Sequence, residues 1–235
     1  MPRFANAEVW GKAKIYGNAD ICGNAWICGH AQVYENAEIR GNAKIDGNAK
    51  KGRIIMKKFE LIPEKTLNWF GKTLFRIKAC MDFTTTSGDK IHAGDIGGYV
   101  EKESNLSHDG KAWVSGNAKV WGNAKIYGNA EICGDAWVYG NTWVYGNAEV
   151  YDDAKVYGNA WVYENAKVCG DAKIYNNAKV YDNAKVWGKA EVYGNAEVHD
   201  DAEVYGNAKI YDNAKIYNNA EVYGDTEVLG NAAIC

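Results

Sequence analysis

Four histidines, His30, His92, His108 and His199, are the groups best suited to general acid–base work or metal ligation. Imidazole titrates near neutral pH and binds metals through either nitrogen. The run His199-Asp200-Asp201 comes nearest to a polar cluster. Consecutive side chains at a tight corner diverge, so it reads as a surface substitution. His108 stands just before a long unbroken repeat and is the other candidate base. The six cysteines (Cys22, Cys28, Cys80, Cys133, Cys169, Cys235) contain no CxxC pair and read as free thiols in a reducing compartment. Phosphate-cradling glycine motifs and a nucleophile elbow are missing. The sequence therefore predicts no catalytic residue and no metal site.

Aromatic residues offer a different chemistry. Trp137, Trp143 and Trp161 interrupt positions otherwise held mostly by Lys or Glu, and Tyr139, Tyr145 and Tyr163 run beside them. Trp143 and Trp161 are eighteen residues apart, with Trp137 one corner away. Exposed indoles flanked by phenols suit stacking on a sugar ring or a partner protein.

The element that positions these residues is a repeat. From Ala112 to Cys235 the unit Ala-x-Ile/Val-Tyr-Gly-Asn recurs every six residues for twenty-one units without slipping, from Val114 to Ile234. Ala and the Val/Ile two places later share one face of a short strand. The residue between them and the following Tyr point the other way. Gly-Asn suits a tight corner, and because Asp, Glu or Asn replaces Gly at 152, 164 and 176, the Asn position looks the more important. Three strands and three corners close a triangular coil of eighteen residues, seven coils in all. Its lumen is a narrow prism of Ala and branched aliphatics. Only Thr142 and Thr226 depart from Ala. One unit alone is unstable, so stability accrues along the axis.

A first array, residues 1–50, has Val9, Ile15, Ile21, Ile27, Val33, Ile39 and Ile45 inward and ends where Lys51 takes the next apolar place. Residues 51–111 break the pattern. Lys50, Lys51, Arg53, Lys57 and Lys58 read as a solvated connection. The stretches 58–62 and 73–79 read as two strands of a hairpin around Asn68-Trp-Phe-Gly. Val100 and Leu106 are six apart and begin the second helix, and a two-residue bulge at Asp109-Gly110 follows. Residues 112–235 form the main helix.

Net charge is −3, and Lys and Glu intermingle on every side, so no basic stripe for nucleic acid is expected. No apolar run is long enough for a membrane span, and the N-terminus lacks a secretory pattern, so a cytoplasmic location is expected.

Read as Ile-Tyr-Gly-Asn-Ala-Lys, the unit resembles the hexapeptide repeat of left-handed β-helix proteins, which share the aliphatic residue, the small residue four later and the corner Asn. The resemblance implies an all-β, left-handed parallel β-helix, a triangular solenoid with a small β-hairpin cap. The run from Gly94 to His108, Gly-Asp-Ile-Gly-Gly-Tyr-Val-Glu-Lys-Glu-Ser-Asn-Leu-Ser-His, is similar to the YdcK-like group, bacterial and phage proteins commonly labelled acetyltransferases on fold alone. Many such relatives are trimeric acyltransferases that bind acyl-CoA between helices and use a His as base, with a loop projecting from the coils. No loop interrupts these twenty-one units. The expected function is a non-catalytic scaffold or self-assembling rod, a homo-oligomer or filament joined through uncapped coil ends. The alternatives are a coenzyme A-dependent acyltransferase, and carbohydrate or protein recognition through the Trp/Tyr patch.

Overall fold

The structure, a computed structural model, describes residues 3–5, 8–15, 20–22, 26–28, 32–33, 38–39, 44–45, 50–51 and 57–235. The chain divides into two compact units, 1–58 and 59–235. All regular elements described are strands apart from one 3-10 turn, Glu103–Asn105.

The second unit is a parallel solenoid. Two-residue strands such as Glu149–Val150, Lys167–Val168 and Lys185–Val186 pair in register with the strand eighteen residues on. Two seven-stranded sheets and one ten-stranded sheet make the three walls. The inward slots from Ala118 to Ile216 are 0–1% exposed, which confirms the lumen read from the sequence. Thr142 is tolerated there because its Oγ1 donates to Tyr139 O at 2.6 Å. Between coils the backbone bonds follow one rule, with N–H groups donating to carbonyls seventeen residues on, as Lys167 N to Ala184 O (2.9 Å) and Cys169 N to Val186 O (3.0 Å).

The corners divide their work differently from the expectation. The left-handed backbone falls on the first corner residue: usually Gly, but also Asp152 (φ 58°), Glu164 (62°) and Asn176 (58°). Glycine is favoured because a Cβ on Gly146 would meet Glu164 N of the next coil at 2.7 Å. The second corner residue contributes an amide ladder. Asn123 Nδ2 donates to Asn141 Oδ1 (3.0 Å), and that column continues to Asn231; a second runs from Asn129 to Asp201. Both positions therefore matter, one for backbone shape and one for side-chain bonding.

Residues 59–111 extend the same unit. Phe59–Trp69 and Lys72–Ala79 pair antiparallel around Phe70 (φ 47°) and Gly71 (φ 73°), a two-residue turn with both residues left-handed. Lys72–Ala79 pairs antiparallel with Ile96–Val100, which runs parallel to Lys119–Val120, so the hairpin covers the first edge of the ten-stranded wall. Val100 lies opposite Val120 and Leu106 opposite Ile126, a spacing of twenty, whereas Val114 lies opposite Ile132 at eighteen. The two extra residues fall in the predicted bulge, where Gly110 has φ 69°. Arg76 stacks over Tyr99 (4.2 Å) and donates to Gly97 O (2.7 Å) and Gly116 O (2.6 Å), tying the cap to the first full coil.

In the first unit, three three-stranded parallel sheets run from Arg3–Ala5 to Lys50–Lys51. Gln32 pairs with Lys50 and Val33 with Lys51, so the winding passes the predicted last inward residue, Ile45. Backbone pairing does not require an apolar side chain. Ile27 is fully buried, and Trp10 and Trp26 meet edge to face at 5.8 Å. Of the basic cluster, Lys58 is 2% exposed and not solvated, and Arg53 lies outside the described residues, as does His30.

Candidate functional site

The site forms where the cap meets the first coil. Asn105, fully buried, donates to Gly122 O (3.2 Å) and Ala124 O (2.9 Å) and accepts from Lys102 N (3.0 Å). That fixes the 3-10 turn and directs Glu103 and Ser104 to one side. Leu106, 2% exposed, continues the lumen, and Ser107 N donates to Ile126 O (2.8 Å). His108 then stacks on Phe59 (centroids 4.4 Å, planes 19°) with Nε2 at 2.8 Å from Glu103 Oε1.

Residues of this turn and of the segment after it line an open groove of about 700 Å³ together with Lys125, Ile126, Tyr127 and Trp143. Its floor is apolar, formed by Leu106, Ile126 and Tyr127; its rim is polar, formed by Glu103, Ser104, Ser107 and His108. Burial raises the Tyr127 hydroxyl pKa, with a smaller push from Tyr145, so the phenol stays neutral.

Trp143 and Trp161 stack with centroids 5.6 Å apart and planes at 17°. Each indole thus spends one face on the other, and the pair is not a double platform. Trp143 also meets Tyr127 edge to face (centroids 5.8 Å, planes 82°) and lies in register with Lys125 of the preceding coil. The Lys125 ammonium donates to Ser104 O at 2.7 Å, and Trp143, 41% exposed, lines the groove. Tyr145 and Tyr163 belong to a stacked column, Tyr127 to Tyr217, with spacings of 4.8–5.5 Å, so these phenols also spend their faces on one another.

Trp137 and Tyr139 belong to another wall. Trp137 is enclosed by Trp69 (5.0 Å), Phe70 (6.0 Å) and Trp121 (6.1 Å), with the Lys155 ammonium 4.4 Å from its ring centre. It anchors the hairpin tip. Tyr139 is stacked between Trp121 (4.3 Å) and Tyr157 (5.0 Å). Of the six aromatic residues singled out by sequence, Trp143 alone lines the groove. Glu103, Ser104 and Ser107 were missed because no spacing rule marks a turn held by a buried asparagine, and Lys125 because it is one of many charged wall positions of the repeat.

His92 lies elsewhere, exposed, with its backbone N–H donating to Asp95 Oδ2 at 2.7 Å. The Cys133 thiol is pushed up to about 11 by burial and by Glu131 and Glu149, which makes it a poor nucleophile. Among the described residues no helix is long and apolar enough to cross a membrane.

No protein-family model and no curated protein matches the chain. It is similar to the crystal structure of a "putative acetyltransferase" from Desulfovibrio desulfuricans G20, with 11% identity, a TM-score of 0.36, and 98% of this chain aligned to 56% of that one. The chain thus spans little more than half the length of that protein. Its own winding, three two-residue strands and three corners in every eighteen residues, is that of a hexapeptide-repeat parallel β-solenoid.

Proposed function

We propose that the chain is a non-catalytic solenoid scaffold that binds a carbohydrate in the groove before Trp143. The observation that supports this reading is the exposed Trp143 indole lining one groove with the polar groups of Glu103, Ser104, Ser107 and His108. A sugar ring has an apolar face for the indole and hydroxyls for the rim. The volume of about 700 Å³ lies in the small-ligand range, so a ring-sized ligand suits the groove better than a protein surface of about 800 Å². The rest of the solenoid is the support: its outward side chains are largely spent on each other, as in Lys173–Glu191 (2.7 Å), Lys185–Glu203 (2.8 Å) and the aromatic columns. Assembly into a homo-oligomer belongs to the same reading; a strictly monomeric species in light scattering at high concentration removes that part.

Titration with neutral and amino-sugar oligosaccharides, followed by calorimetry, tests the ligand class. Trp143→Ala is expected to weaken binding about five- to tenfold, the equivalent of about 1–1.5 kcal/mol. Trp161→Ala should stay within about twofold, because that indole lies outside the groove lining. No binding by any sugar, or equal losses from both variants, refutes the reading.

A second reading is favoured by the His108–Glu103 pair, a base with an orienting carboxylate. Coenzyme A fits this groove poorly, since Lys125 is the only ammonium among the lining residues and Ser104 already holds it. An acetyl-CoA-dependent rise in Tm abolished by Lys125→Ala would overturn that assessment.

A further inference from the structure

The structure points to a divalent transition-metal site on a corner far from the groove, formed by Asp182, His199 and Asp200; we propose that it binds zinc or a chemically similar ion. One ligand atom from each residue lies within 4.8 Å of the other two. His199 Nδ1 stands 3.2 Å from Asp200 Oδ2, close to the ~3.3 Å edge of a tetrahedron with ~2.0 Å metal bonds. Asp182 belongs to the preceding coil, eighteen residues before Asp200. The winding therefore brings together what the sequence keeps apart.

Three features set this corner apart. In the column from Tyr127 to Tyr217, His199 is the one ring that is not a tyrosine, and it is held between Tyr181 (4.8 Å) and Tyr217 (5.5 Å). Stacking fixes the imidazole plane as a second shell would. In residues 112–235 this is also the one place where two successive coils carry Asp at the first corner position. Each is left-handed, with φ 56° at Asp182 and 58° at Asp200. Finally, each carboxylate uses only Oδ2 on backbone: Asp182 accepts from Asp200 N (3.4 Å) and Asp200 from Asn218 N (3.0 Å). Asp200 Oδ2 is shared between the Asn218 N–H and His199 Nδ1 (3.2 Å), while Oδ1 of each carboxylate lies outside these backbone bonds. Two like charges stacked one coil apart repel each other, and a cation between them removes that repulsion. Imidazole with two carboxylates is a donor set for zinc, with water completing the shell, and suits calcium or magnesium less well.

Calorimetric titration of the full chain with zinc chloride tests the site. The expected result is one strong site per chain and a zinc-dependent rise in Tm. His199→Tyr restores the ring found elsewhere in the column, so its metal-free Tm should match the wild type, while zinc affinity falls at least about tenfold. Asp182→Asn should lose affinity similarly. Wild-type protein without a stoichiometric site, or His199→Tyr that binds zinc as tightly as wild type, overturns the proposal; the latter result would place the ion at another group such as a cysteine. Neither outcome bears on the sugar groove.

Discussion

Shortening Val168 to alanine measures how the lumen stabilises the rod. Val168 is fully buried and lies in register between Val150 and Val186, with Ala166 beside it on the inner face. The change removes two carbons, about 1.6 kcal/mol at ~0.8 kcal/mol per methylene, and leaves a cavity whose walls are strands unable to close inward. Together these give about 2–3 kcal/mol, or a fall in Tm of about 5–10 °C for a unit of this size. Val150→Ala and Val186→Ala should cost the same, because each repeats one environment. Val228, 5% exposed and paired among the described residues with Ile210 alone, should cost about half as much. The assay is thermal unfolding followed by circular dichroism, with hydrogen exchange locating the weakened coil. Equal losses at 150, 168 and 186 with a smaller one at 228 are expected. No loss at 168 would refute the idea that these side chains meet along a common axis.

Other tests address the remaining parts. Gly98→Ala should destabilise the cap by about 1–3 kcal/mol, since its Cβ would lie 2.7 Å from Val114 Cγ1 and 2.8 Å from Ala118 O; a wild-type Tm would contradict this. Asn165→Ala breaks two rungs of an amide ladder, with Asn147 and Asn183, and should cost about 1–2 kcal/mol in urea unfolding. Burial raises the tyrosine ladder pKa values, with Tyr157 and Tyr181 pushed up to about 12. Unfolded tyrosines lose their protons first, near pH 10, so stability should hold below that pH and fall as pH climbs towards 12. Melting curves across pH 8–12 check the sign. Cys133, its pKa raised to about 11 by burial, should alkylate far more slowly at pH 8 than exposed Cys80.

The period alone made the lumen legible, because a side chain's direction in a strand follows from its place in the six-residue unit. The hairpin turn and the bulge after Leu106 were also readable, the first from residues around Phe70-Gly71 and the second from counting, but the first strand, read as 58–62, runs past an irregularity after Ile62 to Trp69. The site was not. Trp137 looked like a neighbour of Trp143 until the hairpin tip, Trp69 and Phe70, was found against it. The indole pair looked like a broad platform because composition does not say that rings one coil apart use up each other's faces. His199 was judged by its chain neighbours, yet its second acidic neighbour, Asp182, is a full coil away. Each miss concerns a contact across coils or from the cap, which local patterning does not encode. Handedness came from resemblance alone.

The most direct test of the winding is a distance measured along one wall. Spin labels at Lys155→Cys and Glu227→Cys, in a chain whose native cysteines are serines, sit on one column four coils apart. Pulsed electron resonance should give about 19 Å, and moving the second label back to Lys209→Cys should shorten it by about 4.8 Å. Distances that do not change by one constant step for every eighteen residues would contradict the solenoid on which the groove and the metal corner both depend.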